Sequence, residues 1–598
     1  MPLSPDYQAR LSELHASLVH ARTVQTGTLI MLAATVALFS LLVWLAFQRR
    51  VPAWSTLLPV PLAAAAGRRY IRNRSGWLRT SRLERFYQDG LARLENRFAG
   101  LGFPGDEFQV AGHPYAADLN LFGVGSLFES LCTARTEIGR RRLAEYLLTP
   151  TGIDESSARQ EAVRELVTRP ALREDIPLLG KFDSRDSSSA TFADWLANPI
   201  PWIAPPVRWL AVGTSLALGL LILFTYVARP VALHSWIEAA PWMAGLALVN
   251  VIVAGSFRRT VKKELEFSNL VGLEIGVVRE GIALLQGQRF ESAKLCGIVE
   301  ELKKGGAATV LLRLERMTAA LHVCAHPFFE FVCHVLIMKT HLALGLAHWR
   351  QRHGESLKRW LRAWAEFEAL AALAGYACEH PHDTFPELIQ AEVVLDGCEL
   401  GHPMIPAAAC VRNHIALGAG RRLYVISGSN MAGKSTLLRA IGMNAVLAYA
   451  GAPVRAASLR ISLVAVCASL SVVDSMVEGK SRFLAEVEKL RQMTTFARGQ
   501  TPVLFLIDEI LGGTNSRDRR IAAEAVVRSL VASGAVGALS THDLALAEIA
   551  EIEGLGGANV HMGSRDGSDP LDFDYLLKPG VTRESNAIAI ARMAGVPA

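Results

Sequence analysis

Four stretches of the chain go without charge for long enough to stand apart from the rest. The first, residues 23–47 (TVQTGTLIMLAATVALFSLLVWLAF), lies between Arg22 and Gln48. At about 1.5 Å per residue a helix of that length covers a hydrocarbon core of about 30 Å, so the pattern predicts a transmembrane helix. A signal peptide fits less well, because its apolar stretch is only about 7–15 residues and sits closer to the start. A second run, 51–67, carries Pro52, Pro59 and Pro61 and predicts a short, kinked span or a re-entrant segment. The runs from Trp209 to Ala228 and from Ala239 to Phe257 predict a second hairpin. Trp202, Trp209, Trp236 and Trp242 lie near their ends, where aromatic side chains favour the membrane interface. Arg68, Arg69, Arg72, Arg74, Arg79, Arg82 and Arg85 follow the first pair, and Arg258, Arg259, Lys262 and Lys263 follow the second. That bias turns both polar regions toward the cytoplasm.

Between and after these runs the pattern is mainly helical. Apolar residues recur at helical spacing from Asp118 to Thr149, the polar stretch 183–189 (DSRDSSS) predicts a loop, and long helical patterns run from Val261 to His380, broken at Gly305-Gly306 and Pro327. Residues 328–349 are apolar, but Glu330, His334, Lys339 and His341 interrupt them, which predicts a packing helix rather than a fifth span. No repeat of fixed period is present. The expected organisation is an amino-terminal hairpin region (1–90), a first helical core part (91–200), a second transmembrane hairpin (201–257), a second helical lever part (258–385) and a carboxyl-terminal domain (386–598).

Composition narrows the class. At 598 residues the chain should hold about four units of roughly 150 residues. Apolar residues make up 51% and charged residues 20%, which excludes wholesale disorder. The 48 glycines show no period, and the eight cysteines form no CxxC pair, so the thiols are expected to stay reduced in cytosol. The net charge of +6 is carried in part by the seven arginines beside the first apolar pair. Such residues set topology and attract anionic lipid, yet they also attract nucleic-acid phosphate, so charge alone does not choose a partner.

The last third carries the chemistry. Leu423-Tyr424-Val425-Ile426 reads as a buried parallel strand leading into GSNMAGKS, a complete GxxxxGK[ST] phosphate loop. Gly428, Ser429, Asn430, Met431, Ala432, Gly433, Lys434, Ser435 and Thr436 form the nucleotide-binding set, followed by a helix to Tyr449. Backbone N–H groups converge on phosphate, Lys434 reaches the β- and γ-phosphates, and the Ser435 hydroxyl suits Mg²⁺. A second apolar strand, 503–507, ends in Asp508-Glu509. Asp508 is then placed to hold Mg²⁺ and Glu509 to orient or deprotonate the attacking water. A third strand, 535–539, ends in Ser540-Thr541-His542-Asp543, which sets His542 toward the γ-phosphate. Two lesser features carry less: Cys378, Glu379, His380 and His382, with Pro381 among them, read as a solvated turn rather than a metal cluster, and 554–570 reads as turns between strands.

These residues carry a resemblance. The segment from Asn413 through GSNMAGKST, LFLIDEILGGTNSRDR and LSTHD resembles the carboxyl-terminal ATPase domain of the MutS family of DNA mismatch-repair proteins, a branch of the ABC ATPases. GHPMI (401–405) is similar to the family's RHP element, and FDYLLKPG (573–580) and IARMAGVP (590–597) are similar to its closing FxYxLxPG and AxxAGxP segments. Outside that domain, DLNLFGVGSLFESLCTARTEIGRRRL (118–143) resembles the family's core segment, and in all the likeness spans about 115–195 and 260–598. The resemblance implies ATP and Mg²⁺ as cofactors, with Lys434, Ser435, Asp508, Glu509 and His542 in the roles above. It also implies a composite site in which Ser481, in GKSRF where the family has GxSTF, serves the nucleotide of the opposite subunit, and hence a homodimer.

The departures are equally specific. No GxFxE-like mismatch-reading segment precedes Asp118, a second apolar hairpin stands where the family inserts its DNA clamp, and Ile510–Asn515 (ILGGTN) replaces the family's GRGTS. The expected fold is an α/β P-loop ATPase domain of the ABC type with a long α-helical lever and core region and two transmembrane helical hairpins. The expected protein sits in the cell or inner membrane with its ATPase domain in the cytoplasm, bound to the lipid bilayer. In one reading it acts on DNA, as in mismatch repair. In the other it is an ATP-driven switch on a membrane or protein partner without DNA. An ABC-type transporter fits poorly, since no LSGGQ signature is present.

Overall fold

The computed structural model describes residues 7–180, 195–196, 205–228, 233–390, 392–429, 431–470, 482–512, 515–563 and 572–582. The chain divides into two units, one of Met1–Thr133, Ala144–Leu178 and Leu370–Ala598, the other of Ala134–Leu143 and Leu179–Ala369. Asn430, Ser481 and the expected loop 183–189 lie outside the described residues.

The strands all belong to the first unit: β1 (Glu387–Ile389), β2 (Leu395–Leu400), β3 (Asn413–Leu417), β4 (Leu423–Ser427), β5 (Ser458–Ser462), β6 (Ala465–Ser469), β7 (Val503–Asp508), β8 (Val536–Thr541), β9 (Gly557–His561) and β10 (Lys578–Pro579). They form one sheet in the order β1-β5-β2-β3 and a larger one in the order β10-β9-β4-β8-β7-β6. In the larger sheet β9, β4, β8, β7 and β6 run parallel. Parallel strands are covered on both faces, which is why Leu423–Ile426 and Val503–Ile507 are apolar without alternation and are buried at every position. Register sets Ser427 beside Thr541 and Asp508 beside Ser540, so the polar strand ends share one edge. Strand β9 lies within 554–570, where sequence reading saw only turns; its short run Ala558-Asn559-Val560 gives too little apolar signal to mark a strand.

At the amino terminus the helices Tyr7–Phe47 and Pro59–Leu94 run antiparallel, with His15 Nδ1 3.2 Å from Glu84 Oε1 and the Tyr7 and Tyr87 rings edge to face at 5.1 Å. The run 51–67 is not one continuous segment. It divides into a 3₁₀ turn, Ala53–Leu57, and the opening of the second helix, where Pro59 occupies the first position that tolerates proline. Asp118 to Thr149 likewise divides into turns, a short helix Leu127–Leu131 and a longer one, Glu137–Leu148. The expected solvated turn near Cys378 is corrected in part. Glu379 closes the helix Met338–Glu379 and is buried, taking two hydrogen bonds from the Arg93 guanidinium at 2.8 and 2.6 Å. No group of three His, Cys, Asp or Glu side chains able to hold a metal occurs among the described residues.

The second unit is helical. Gly281 lets the helix Arg258–Gln286 close on Trp364, whose ring would lie 2.0 Å from a Cβ at that position. Buried Glu368 accepts the Arg135 N–H at 3.0 Å and the Thr136 hydroxyl, and burial raises its carboxyl to about 7. The helices Pro205–Ala228 and Leu233–Ser256 pair with each other. By length and apolarity, Tyr7–Phe47 and Ile237–Ser256 are candidate spans among the described residues, and Trp209–Thr225 is a shorter apolar helix. The segment 328–349 is not one packing helix. Phe329–Val335 and the start of Met338–Glu379 meet at 71°.

Removing one partner of the buried Arg93–Glu379 pair strands the other charge away from water. Glu379→Ala is expected to cost about 3–5 kcal/mol in denaturant unfolding of the full chain, and an unchanged midpoint would refute that role.

Candidate functional site

The site begins where β4 ends. A Cβ on Gly428 would lie 2.4 Å from the Met562 carbonyl oxygen, so only glycine admits that approach of backbone to backbone. Gly433 takes φ 96°, in the left-handed region, and leads into the helix Lys434–Ala450 without a side-chain cap. Its first-turn N–H groups therefore remain available to an anion. Lys434 is 5% exposed, and its ammonium donates to the carbonyls of Gly428 at 2.7 Å and Ser429 at 2.9 Å. Burial lowers its pKa, while the Glu509 and Asp508 carboxylates pull the other way. Ser429, Met431, Ala432 and Thr436 complete the described part of the loop and the helix start, with Met431 at φ 73° and exposed.

Asp508 closes β7 and is held from two sides. The Ser435 hydroxyl donates to its Oδ2 at 2.5 Å, and the Ser540 hydroxyl donates to its Oδ1. A hydroxyl and a carboxylate side by side form an oxygen donor set suited to Mg²⁺, which takes few protein ligands when phosphates supply the rest. Glu509 leaves the strand at φ 51°, its N–H donating to the Ser540 carbonyl at 3.1 Å. Glu509 Oε1 stands 2.9 Å from His542 Nδ1, and both side chains reach solvent. A non-glycine residue in this conformation costs about 1–3 kcal/mol, and such strain gathers at functional sites. Leu511, at φ 54°, repeats it two residues on.

The five chemical residues read from sequence thus come together as Ser435 with Asp508, Glu509 with His542, and Lys434 beside the loop carbonyls. Sequence reading missed their supports. Ser540, within LSTHD, has no signal of its own until β8 sets its hydroxyl against Asp508. Glu486, buried on the helix Arg482–Ala497, accepts the Leu511 N–H. Asp118 is buried and takes the Lys489 ammonium at 2.7 and 2.8 Å and the Leu470 N–H at 2.9 Å, flanking 471–481 on both sides. Beside the loop lies a cavity of about 140 Å³ lined by His402, Asn413, Gly433, Thr436, Met562 and Tyr575. Asn413 fixes its far wall, donating to the Tyr575 carbonyl at 3.0 Å and accepting the Leu577 N–H at 2.7 Å. The contacts of Asp118 and Asn413 join residues more than a hundred positions apart, and those of Ser540 and Glu486 join residues 32 and 25 apart, which local pattern does not reveal.

Comparison with known proteins adds to this geometry. The MutS domain V family profile matches residues 424–598. The DNA mismatch repair protein MutS 2 of Halobacterium salinarum is 32% identical over 256 residues, 42% of this chain and 29% of that protein. The DNA mismatch repair protein MutS of Sorangium cellulosum is 30% identical over 356 residues, 56% of this chain and 35% of its own length. That of Natronomonas pharaonis is 30% identical over 247 residues, 41% of this chain and 28% of its own. The chain spans only 28–35% of the length of these relatives.

His402 lines the cavity with its Nδ1 accepting the Met404 N–H at 3.2 Å. Burial, with Arg439 and Arg455 nearby, pushes it down to about 4. The unfolded chain therefore takes up this proton first, and the stability His402 contributes is lost as pH falls from about 6.5 toward about 4. His402→Gln is expected to lose less stability than the parent between about pH 7.5 and about pH 4.5 in unfolding measurements, and an equal loss would refute the assignment.

Proposed function

We propose, from the premise that the chain belongs to the MutS family through its domain V, that it is a membrane-anchored ATPase that hydrolyses Mg·ATP in a composite dimer site and couples the cycle to its long helices. The observation that carries the reading is the Ser435–Asp508–Ser540 chain set beside the Glu509–His542 pair at one sheet edge. Ser435 and Asp508 would hold Mg²⁺, which neutralises charge on the β- and γ-phosphate oxygens when bound. Lys434 would exchange the loop carbonyls for phosphate oxygens. Glu509 accepts the proton of the attacking water as its oxygen bonds to the γ-phosphorus and the bond to the ADP oxygen breaks. His542 orients Glu509 and meets the γ-phosphate. The apolar cavity beside Gly433 suits the base. Ser481 would serve the nucleotide of a second copy.

Anchoring is supported by an inverted distribution of polarity. Asn250 is fully buried between the helices Pro205–Ala228 and Leu233–Ser256, accepting the Thr214 hydroxyl at 2.8 Å, and Thr225 is buried as well. Leu216, Leu220, Leu223, Leu248, Val251 and Ile252 point outward. In water such an arrangement exposes the wrong surface, whereas in lipid it is the expected one.

The names of the relatives favour DNA as the target. The inverted hairpin favours a second reading in which a membrane or protein partner is the target without DNA. Mg·ATP hydrolysis by the detergent-purified chain is expected to fall about 100-fold or more in Glu509→Gln while nucleotide binding persists. Hydrolysis unaffected by Glu509→Gln would overturn the mechanism. Stimulation by duplex, mismatched or branched DNA that fades with salt supports the first target. Indifference to every DNA form supports the second.

A further inference from the structure

The inverted polarity of the hairpin extends to a third element. The helix Pro327–Val335 is nine residues long and reaches about 14 Å, half of a hydrocarbon core. It ends at a sharp break before Met338. Phe329, Phe331 and Val332 point away from the protein, Phe331 at 77% exposure. At the break Ile337 takes φ 44°, a conformation that β-branched residues avoid, and its side chain is buried against Ala211 and Val253 of the two hairpin helices. The break deprives Val335 of an ordinary helical partner for its carbonyl, and Asn250 Nδ2 donates to that oxygen at 3.3 Å. His341 Nε2 lies 3.0 Å from the Ser215 hydroxyl on the far side of the break. The Val335 carbonyl and the His341 ring thus meet hairpin side chains, while Phe329, Phe331 and Val332 face outward.

We propose that Pro327–Val335 is a re-entrant membrane element, docked on the hairpin through Asn250 and Ile337, with phospholipid acyl chains covering Phe329, Phe331 and Val332. Continuity argues for lipid as the occupant. The two hairpin helices on which it docks already present Leu223, Phe224, Val251 and Ile252 outward and turn Thr214 and Ser215 toward Asn250. Non-helical backbone at membrane depth is tolerated only where protein satisfies it, and Asn250 does so here. Glu330, paired with Lys339 at 3.6 Å, lies beside the break as the polar neighbour of the apolar face.

The proposal rests on the membrane reading of the hairpin, and the test separates the two. Photoreactive p-azidophenylalanine is placed singly at Phe331, at Phe224 in the hairpin and at Phe496 in the first unit, each in the full chain. The chains are reconstituted in vesicles of phosphatidylethanolamine and phosphatidylglycerol with tritiated acyl chains. Lipid adducts are expected at Phe331 and Phe224 and not at Phe496. Adducts at Phe224 with Phe331 at the level of Phe496 would overturn the re-entrant element and leave the hairpin in the membrane. Absence at both would overturn the membrane reading and the re-entrant element with it. Asn250→Leu is expected to lower the Phe331 adduct about fivefold, the worth of one interhelical hydrogen bond in a bilayer, while sparing that at Phe224. An undiminished Phe331 adduct in Asn250→Leu would overturn Asn250 as the docking residue.

Discussion

One buried carboxylate ties together the parts of the first unit that surround the polar edge of the larger sheet. Asp118 lies in the turns before the helix Leu127–Leu131, far in sequence from the sheet. Its side chain accepts the N–H of Leu470, just past β6, and the ammonium of Lys489 on the helix Arg482–Ala497. Its own carbonyl accepts the Arg439 guanidinium from the helix Lys434–Ala450 at 3.1 Å. A buried ion pair adds little net stability, because desolvation offsets the attraction. What it enforces is geometry: without all of its partners the carboxylate would be stranded in a low-dielectric interior.

The legible part of the site follows from a simple physical circumstance. A parallel sheet covered on both faces needs continuous apolar strands, and their polar ends must fall at the edge where ligands bind. Leu423–Ile426 and Val503–Ile507 therefore announced themselves, and Lys434, Ser435, Asp508, Glu509 and His542 followed from their positions at the strand ends. The supporting residues did not. Ser540 is one serine among several until register places it beside Asp508. Glu486 and Asn413 act on backbone groups distant in sequence, and nothing in their own neighbourhood shows it.

The apolar segments were legible in a coarser way. Absence of charge shows what a segment avoids, not how it is divided. Residues 51–67 resolved into a turn and the opening of a longer helix, because Pro52 and Pro59 fix chain direction without regard to hydropathy. Residues 328–349 broke at Ile337 with no proline or glycine at the break. The compensation lies elsewhere in the chain, in Asn250 and in the packing of Ile337 against Ala211 and Val253. Tertiary contacts overrode local propensity at that point.

The turn after β7 and the helix Arg482–Ala497 are joined by a buried hydrogen bond. Glu486 holds the Leu511 N–H, and Lys489, three residues on and so on the same helical face, holds Asp118. Glu509 and Leu511 both occupy left-handed conformations that relax readily only if the turn moves. A displacement of Glu509 that relieves this strain must carry the Leu511 amide, and through Glu486 it must either carry the helix or break a buried hydrogen bond. Breaking that bond leaves a buried polar group unsatisfied, at a cost of about 1–3 kcal/mol. Moving the helix instead loads the Lys489–Asp118 pair. The turn after β7 is therefore placed to transmit a displacement of Glu509 as a movement of an entire element, rather than to absorb it locally.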